Sequence, residues 1–144
     1  MPITACRQWH WGVVRLPRKC YRARGTGILK DAPEVIRGPA RVLMSAVNYG
    51  EVYGRILRDY GLDQAHTPMH ALSPLPIELL DATPQRALHA VDVTAKYKLY
   101  YIDSFAAALA IEQKATLVTS DSDFRKLGHG FPVVWLKVWH AHEH

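Results

Sequence analysis

The first 30 residues contain neither aspartate nor glutamate, and Asp31 is the earliest acid in the chain. That segment is instead rich in arginine: Arg7, Arg15, Arg18, Lys19, Arg22, Arg24, Lys30, Arg37 and Arg41 supply half of the 18 basic residues within 41 positions. The net charge of +5 over 144 residues is therefore a property of the front of the chain, and the remainder is nearly balanced. A mild excess of positive charge hints at an anionic partner such as nucleic acid. Only two cysteines occur, Cys6 and Cys20, too few for a disulfide framework, so a reducing, cytoplasmic compartment is expected. No apolar run approaches the roughly 18 residues that a membrane span requires. Arg7, Gln8, His10, Arg15 and Arg18 interrupt any apolar stretch near the start, which excludes a signal-peptide pattern there. Repeats and low-complexity tracts are absent. At 49% hydrophobic and 22% charged, the composition is that of one ordinary globular domain.

Residues 1–25 form an atypical basic segment in which no helical or strand period holds for long, although Trp11-Gly12-Val13-Val14 reads as one short strand. The segment suits either a basic nucleic-acid arm or a poorly fitting stretch. Organised sequence begins near Thr26 and continues to about residue 138. Ile28, Leu29, Val35 and Ile36 have roughly helical spacing, limited by Pro33. Arg41-Val42-Leu43-Met44 is the first convincing strand. Ser45 then caps a helix, AVNYGEVYGRILRDY, which Gly61 ends. Val47, Val52, Ile56 and Leu57 make much of its buried stripe. Gly50 and Gly54 share a face and imply the close approach of another backbone. A less regular helix over 62–75 stops at Ser73-Pro74. Pro76 to Leu80 reads as a strand, and Thr83-Pro84 as a cap followed by an N1 proline. The helix after it runs to Tyr97. Residues 139–144 are a histidine-rich tail; His140, His142 and His144 suit a transition metal, or simply a frayed polar end.

The most informative stretch is YIDSFAAALAIEQKATLVTSDSDF, Tyr101 to Phe124. It reads as an acid at a helix start, an alanine-rich helix, a buried strand Thr116-Leu117-Val118-Thr119, and a second acid where the strand stops. Pro132 to Leu136 gives the last strand. The order from Arg41 is strand, helix, helix, strand, helix, helix, strand, helix, strand, which predicts an α/β domain with a mostly parallel sheet. In such folds ligands bind at the carboxyl ends of the strands. Asp121 stands at such an end, and Asp103 emerges from the same edge. Converging carboxylates repel unless a proton or a cation intervenes, and a hard cation such as Mg²⁺ suits them. Glu51 taken alone is an ordinary solvated helix acid. Its place after a buried strand brings it toward the same edge.

Three segments together resemble the PIN domain, most closely the VapC toxins of toxin–antitoxin pairs. They are Ser45-Ala-Val-Asn48-Tyr-Gly-Glu51, Tyr101-Ile-Asp103-Ser-Phe-Ala-Ala-Ala-Leu-Ala, and Leu117-Val-Thr-Ser-Asp121-Ser-Asp123-Phe124. The likeness covers about residues 26–138. It implies a three-layer domain whose central, mostly parallel sheet is flanked by helices. It also implies a Mg²⁺- or Mn²⁺-dependent endoribonuclease. On that resemblance Glu51, Asp103 and Asp121 are the catalytic, metal-binding acids, and Asp123 is a further metal candidate. An RNA substrate, a cognate antitoxin, a homodimer and a cytoplasmic location are implied with them, and no membrane. Basic side chains must hold the RNA phosphates, with Arg55, Lys96, Lys98 and Arg125 as candidates by position.

One part of the pattern is absent. The family opens with a hydrophobic strand that ends in an aspartate, and this chain has no acid before Asp31. The first strand is therefore atypical or missing. Either a shifted reading frame over about the first 24 residues or a genuinely divergent segment accounts for it. The companion reading is a catalytically inactive module that binds only antitoxin or RNA. A phosphoacceptor receiver domain also places acids at strand ends, but it needs a paired acid on its first strand.

Overall fold

A computed structural model describes residues 13–16, 41–72 and 77–135. The sequence expectations for the two cysteines, for Ile28 to Ile36 and for the histidine tail lie outside these residues. The elements in chain order are β1 (Val13–Leu16), β2 (Arg41–Ser45), α1 (Ala46–Tyr60), α2 (His66–Leu72), β3 (Ile77–Leu80), α3 (Pro84–Tyr97), α4 (Tyr101–Gln113), β4 (Thr116–Thr119), a 3-10 helix (Ser122–Leu127) and β5 (Val133–Trp135). From β2 onward the succession is the one that hydrophobic periodicity predicts.

Local chemistry sets the boundaries. The Ser45 hydroxyl accepts a hydrogen bond from the Val47 amide and opens α1. Gly61 closes that helix at φ 76°, a conformation that glycine adopts without a Cβ penalty. Thr83 caps α3 by accepting from the Arg86 amide, with Pro84 in the first turn. Lys98 and Lys114 end α3 and α4 in the left-handed region, at φ 60° and 50°. A side chain there costs about 1–2 kcal/mol relative to glycine. The helix expected over 62–75 is shorter, because residues 62–65 form a turn before α2.

The sheet order is β3-β2-β1-β4-β5. β2 and β3 are parallel, as are β4 and β5. β1 lies between the two pairs and is antiparallel to both neighbours, with Val14 opposite Leu43 and Leu117. Four strands therefore point one way and the middle one points back. The atypical first strand is present and reversed.

Alternation along β2 divides the core between the two faces of the sheet. Val42 and Met44 pack with Val52 and Ile56 of α1 and with Ala65. Leu43 and Leu117 face the other way, onto α3, α4 and the 3-10 helix. The result is three layers: helix pair, sheet, helix pair. Every residue of α4 from Asp103 to Ala110 is buried. Small alanine side chains let this helix be enclosed on all sides, and an enclosed helix must be apolar all round. Asp103 and Ser104 are its polar exceptions. One expectation fails at Gly50 and Gly54. Among the described residues a Cβ at either position would meet nothing within 4 Å, so none of their backbone approaches α1 there. Two glycines on one face establish only that the face is shared, not that it is covered.

Candidate metal centre

β4 ends at Thr119, and its direction carries Ser120 and Asp121 to the carboxyl edge of the sheet. The Asp121 amide donates to Thr119 Oγ1 at 3.1 Å. Asp121 Oδ1 then accepts from the Asp123 amide at 2.9 Å and so caps the 3-10 helix. Both ends of the Asp121 residue are thereby fixed, and Asp123 is placed in the first turn that follows.

Asp103 comes to this point from α4. It lies in the first turn, where the helix dipole favours negative charge. Two ties hold that turn. Asn48 Nδ2 in α1 donates to the Ile102 carbonyl at 3.1 Å. The hydroxyls of Thr94 in α3 and Ser104 in α4 meet at 2.7 Å, and Ser104 also donates to the Tyr100 carbonyl at 3.0 Å.

Asp103, Asp121 and Asp123 thus converge, and one carboxylate oxygen from each lies within 4.8 Å of the other two. Asp103 is 7% exposed, Asp121 9%, and Asp123 half-buried. No other such group of three occurs among the described residues. Asp123, the secondary candidate in the sequence, is inside the cluster. Glu51 stands outside that circle. It lies on α1, three residues after Asn48, half-buried and with Oε2 enclosed. Of the four acids that the resemblance picks out, the fold gathers three and leaves the fourth, Glu51, on another helix outside the group.

The donor set fits a hard divalent cation on its own chemistry. Three carboxylates at this spacing repel one another, and oxygen ligands are what Mg²⁺ and Mn²⁺ take. Asn48 Oδ1 is buried with no hydrogen-bond partner among the described residues, one helix contact away from Asp103. A polar atom in that state is an unfilled acceptor for water or an ion.

The basic candidates divide by location. Arg125 is on the 3-10 helix beside the acids, its guanidinium carbon 5.9 Å from the Trp135 ring centre. Lys98 immediately precedes the linker into α4. Arg55 pairs with Asp59 one turn along α1 at 3.6 Å, and Lys96 lies over the Tyr97 ring at 5.1 Å. The sequence reasoning passed over Lys126, which donates to the Lys98 carbonyl at 3.3 Å, and it gave Asn48 no role beyond spacing. For Lys126 the available signal was a second cation directly after Arg125.

Comparison with known proteins bears on the fold and the family. A search of curated proteins finds no match. Among solved structures, a toxin–antitoxin complex from Klebsiella pneumoniae aligns at 26% identity over 73% of this chain and 80% of that one, with a TM-score of 0.54. VapBC2 from Rickettsia felis, bound to a DNA fragment from its promoter, aligns at 14% identity over 73% of this chain and 82% of that one, with a TM-score of 0.58; that likeness is one of fold. The family model for the PIN domain matches residues 26–130, a span that contains Glu51 and all three converging aspartates. By that match and by the acid-lined carboxyl edge of its sheet, the chain belongs to the PIN-domain family.

Proposed function

We propose that this chain is a divalent-metal-dependent endoribonuclease, the VapC-type toxin of a type II toxin–antitoxin pair. The observation that carries the reading is the convergence of Asp103, Asp121 and Asp123 within 4.8 Å. PIN domains are generally nucleases, and the two solved structures described above are toxin–antitoxin assemblies. A cognate antitoxin is accordingly the protein partner. A homodimer belongs to the same reading. No helix among the described residues is long and apolar enough to cross a membrane.

Asp103, Asp121 and Asp123 would hold the cation, Mg²⁺ or Mn²⁺, and Glu51 would serve as a further ligand or orient the attacking water from the α1 side. Bound there, the ion lowers the pKa of water and offsets charge that builds on phosphate oxygens. The chain's own contribution is placement. The Thr119 contact fixes the Asp121 amide, the Asp123 amide fixes the Asp121 carboxylate, and the Asn48 bond fixes the turn that bears Asp103. Arg125 and Lys98 then supply positive charge for the RNA backbone, which carboxylates repel.

A structured RNA incubated with the full chain and Mg²⁺ tests the reading. Cleavage should occur and should stop on chelation. Asp103→Ala should reduce it by about 100-fold or more, beyond the 10–100-fold typical of groups that only support a ligand. A second reading, an inactive module that only binds antitoxin or RNA, draws on the reversed β1, whose carboxyl end lies away from the acids. Antitoxin binding without any cleavage would decide for that reading.

A further inference from the structure

The 3-10 helix carries two kinds of residue. Its start holds the metal cluster through Asp121 and Asp123, and its end carries Arg125 and Lys126. Each of these cations faces an exposed aromatic ring. Arg125 lies 5.9 Å from the centre of Trp135, and Lys126 Nζ lies 5.8 Å from the centre of Tyr100. The rings belong to the segments that frame the acids. Tyr100 is the N-cap of α4, three residues before Asp103. Trp135 ends β5 and pairs in register with Thr119, two residues before Asp121.

Both rings remain accessible with the cations in place: Tyr100 is 71% exposed and Trp135 43%. A single exposed ring needs no explanation. Two rings, each paired with a cation on one six-residue helix and both beside a carboxylate cluster, form an alternation of π-face and positive charge. Single-stranded nucleic acid presents the complementary alternation of base and phosphate. An apolar protein partner would match the rings and leave the two cations unmatched.

We propose that Tyr100 and Trp135 stack on bases of single-stranded RNA on either side of the bond presented to the aspartates, with Lys126 and Arg125 holding the intervening phosphates. The assignment rests on the ribonuclease reading and adds the binding residues to it. The preferred substrate is accordingly an unpaired loop or end whose bases can be splayed apart, because paired bases hide their faces. The Lys126 bond to the Lys98 carbonyl sets that ammonium beside Tyr100 before RNA arrives.

Binding can be measured apart from cleavage, with the full chain in EDTA and fluorescence anisotropy of a labelled eight-nucleotide oligouridine. A matched abasic phosphodiester of the same length is the control. The chain should bind the base-bearing strand at least tenfold more tightly than the abasic one. Tyr100→Ala and Trp135→Ala should each weaken oligouridine binding about 5-fold or more and leave abasic binding unchanged, as loss of one stacked base implies. Trp135→Phe should keep most of the affinity. Both rings are exposed, so thermal midpoints should stay at the parent value and separate lost stacking from lost folding. Equal affinity for the two strands, or alanine variants that weaken both alike, overturns the proposal. So do variants that lose antitoxin binding while RNA binding stays intact. A chain that stacks RNA and never cuts it with Mg²⁺ would sink the nuclease reading instead, while cleavage without base-dependent binding would sink only this one.

Discussion

β1 and β4 are neighbours in the same sheet, hydrogen-bonded to each other and of equal length, yet only one of them furnishes the site. β4 runs with β2, β3 and β5. Its last residue opens onto the carboxyl edge, and Asp121 follows at once. β1 runs against all four strands. At that same edge it presents its first residue, Val13, opposite Met44 and Val118, while Leu16 ends at the far side beside Arg41. A strand fills a sheet equally well in either direction, because backbone donors and acceptors pair in both. Only direction decides which edge the residue after the strand reaches. Backbone pairing completes the fold here without completing the ring of acids. The family match begins at residue 26, so the strand at the middle of the sheet lies outside it.

The heaviest blows to this comparison fall on the two strands themselves. Leu117 is fully buried in β4, and Leu117→Ala should cost about 3 kcal/mol, read as a shift of the urea midpoint. Val14 stands directly beside it, paired on both flanks. Val14→Pro removes a backbone donor from a doubly bonded strand and should cost about 2–3 kcal/mol. An unchanged midpoint for Val14→Pro would mean that β1 does not occupy the centre, and the contrast with β4 would fall with it.

The sequence revealed these two strands unequally, for a physical reason. β4 is β-branched and apolar, it follows a helix with a clear stop, and it ends in an acid. All of that is local information. Ser45, Gly61 and Thr83-Pro84 mark their boundaries by equally local means, and each sits where the sequence places it. Val13–Leu16 contains Arg15 and has no periodic neighbours, so four residues among arginines carry no statement of direction. Its orientation is fixed by the partners it finds, Leu43 and Leu117, which are 29 and 103 residues away. The acid cluster divides in the same way. Asp103 and Asp121 were legible from their places at a helix start and a strand end. That Asp123 joins them, and that Asn48 is the brace, depends on a cap hydrogen bond and on a contact across 54 residues. The close packing expected at Gly50 and Gly54 is not met among the described residues, because composition gives a face but not what covers it.

β4 owes its forward direction to the crossover through α3 and α4, so loosening that crossover sharpens the contrast with β1, which lacks such a support among the described residues. The near end of α4 is held by Asn48. Asn48→Ala removes one hydrogen bond to the Ile102 carbonyl and should cost about 1 kcal/mol of stability. It should also lower Mg²⁺-dependent cleavage by about 10-fold, in the range of a group that orients a metal ligand. A stability loss with cleavage untouched would show that Asn48 supports the helix without orienting Asp103.

The far end of α4 is held by charge, and its effect is the smallest. Arg86 Nε and Nη2 each donate to one oxygen of Glu112 at 3.1 Å, while Nη1 donates to the Asp81 carbonyl at 2.9 Å. The pair joins the start of α3 to the end of α4. The hydrogen bonds from Arg86 hold the Glu112 carboxyl below its ordinary range, against an opposing push from partial burial. A carboxylate depressed in the folded state stabilises the fold above its unfolded pKa and loses that contribution as pH falls through the lower, folded value. About a third of the Glu112 side chain is open to solvent, so screening keeps the effect to about 0.5 kcal/mol. Glu112→Gln should therefore be less stable than the parent by about that amount at pH 7. The gap should close as the pH is lowered below the usual carboxylate range, because the parent then also carries a neutral side chain. A gap that persists in acid would assign the work to side-chain packing at the crossover, not to charge.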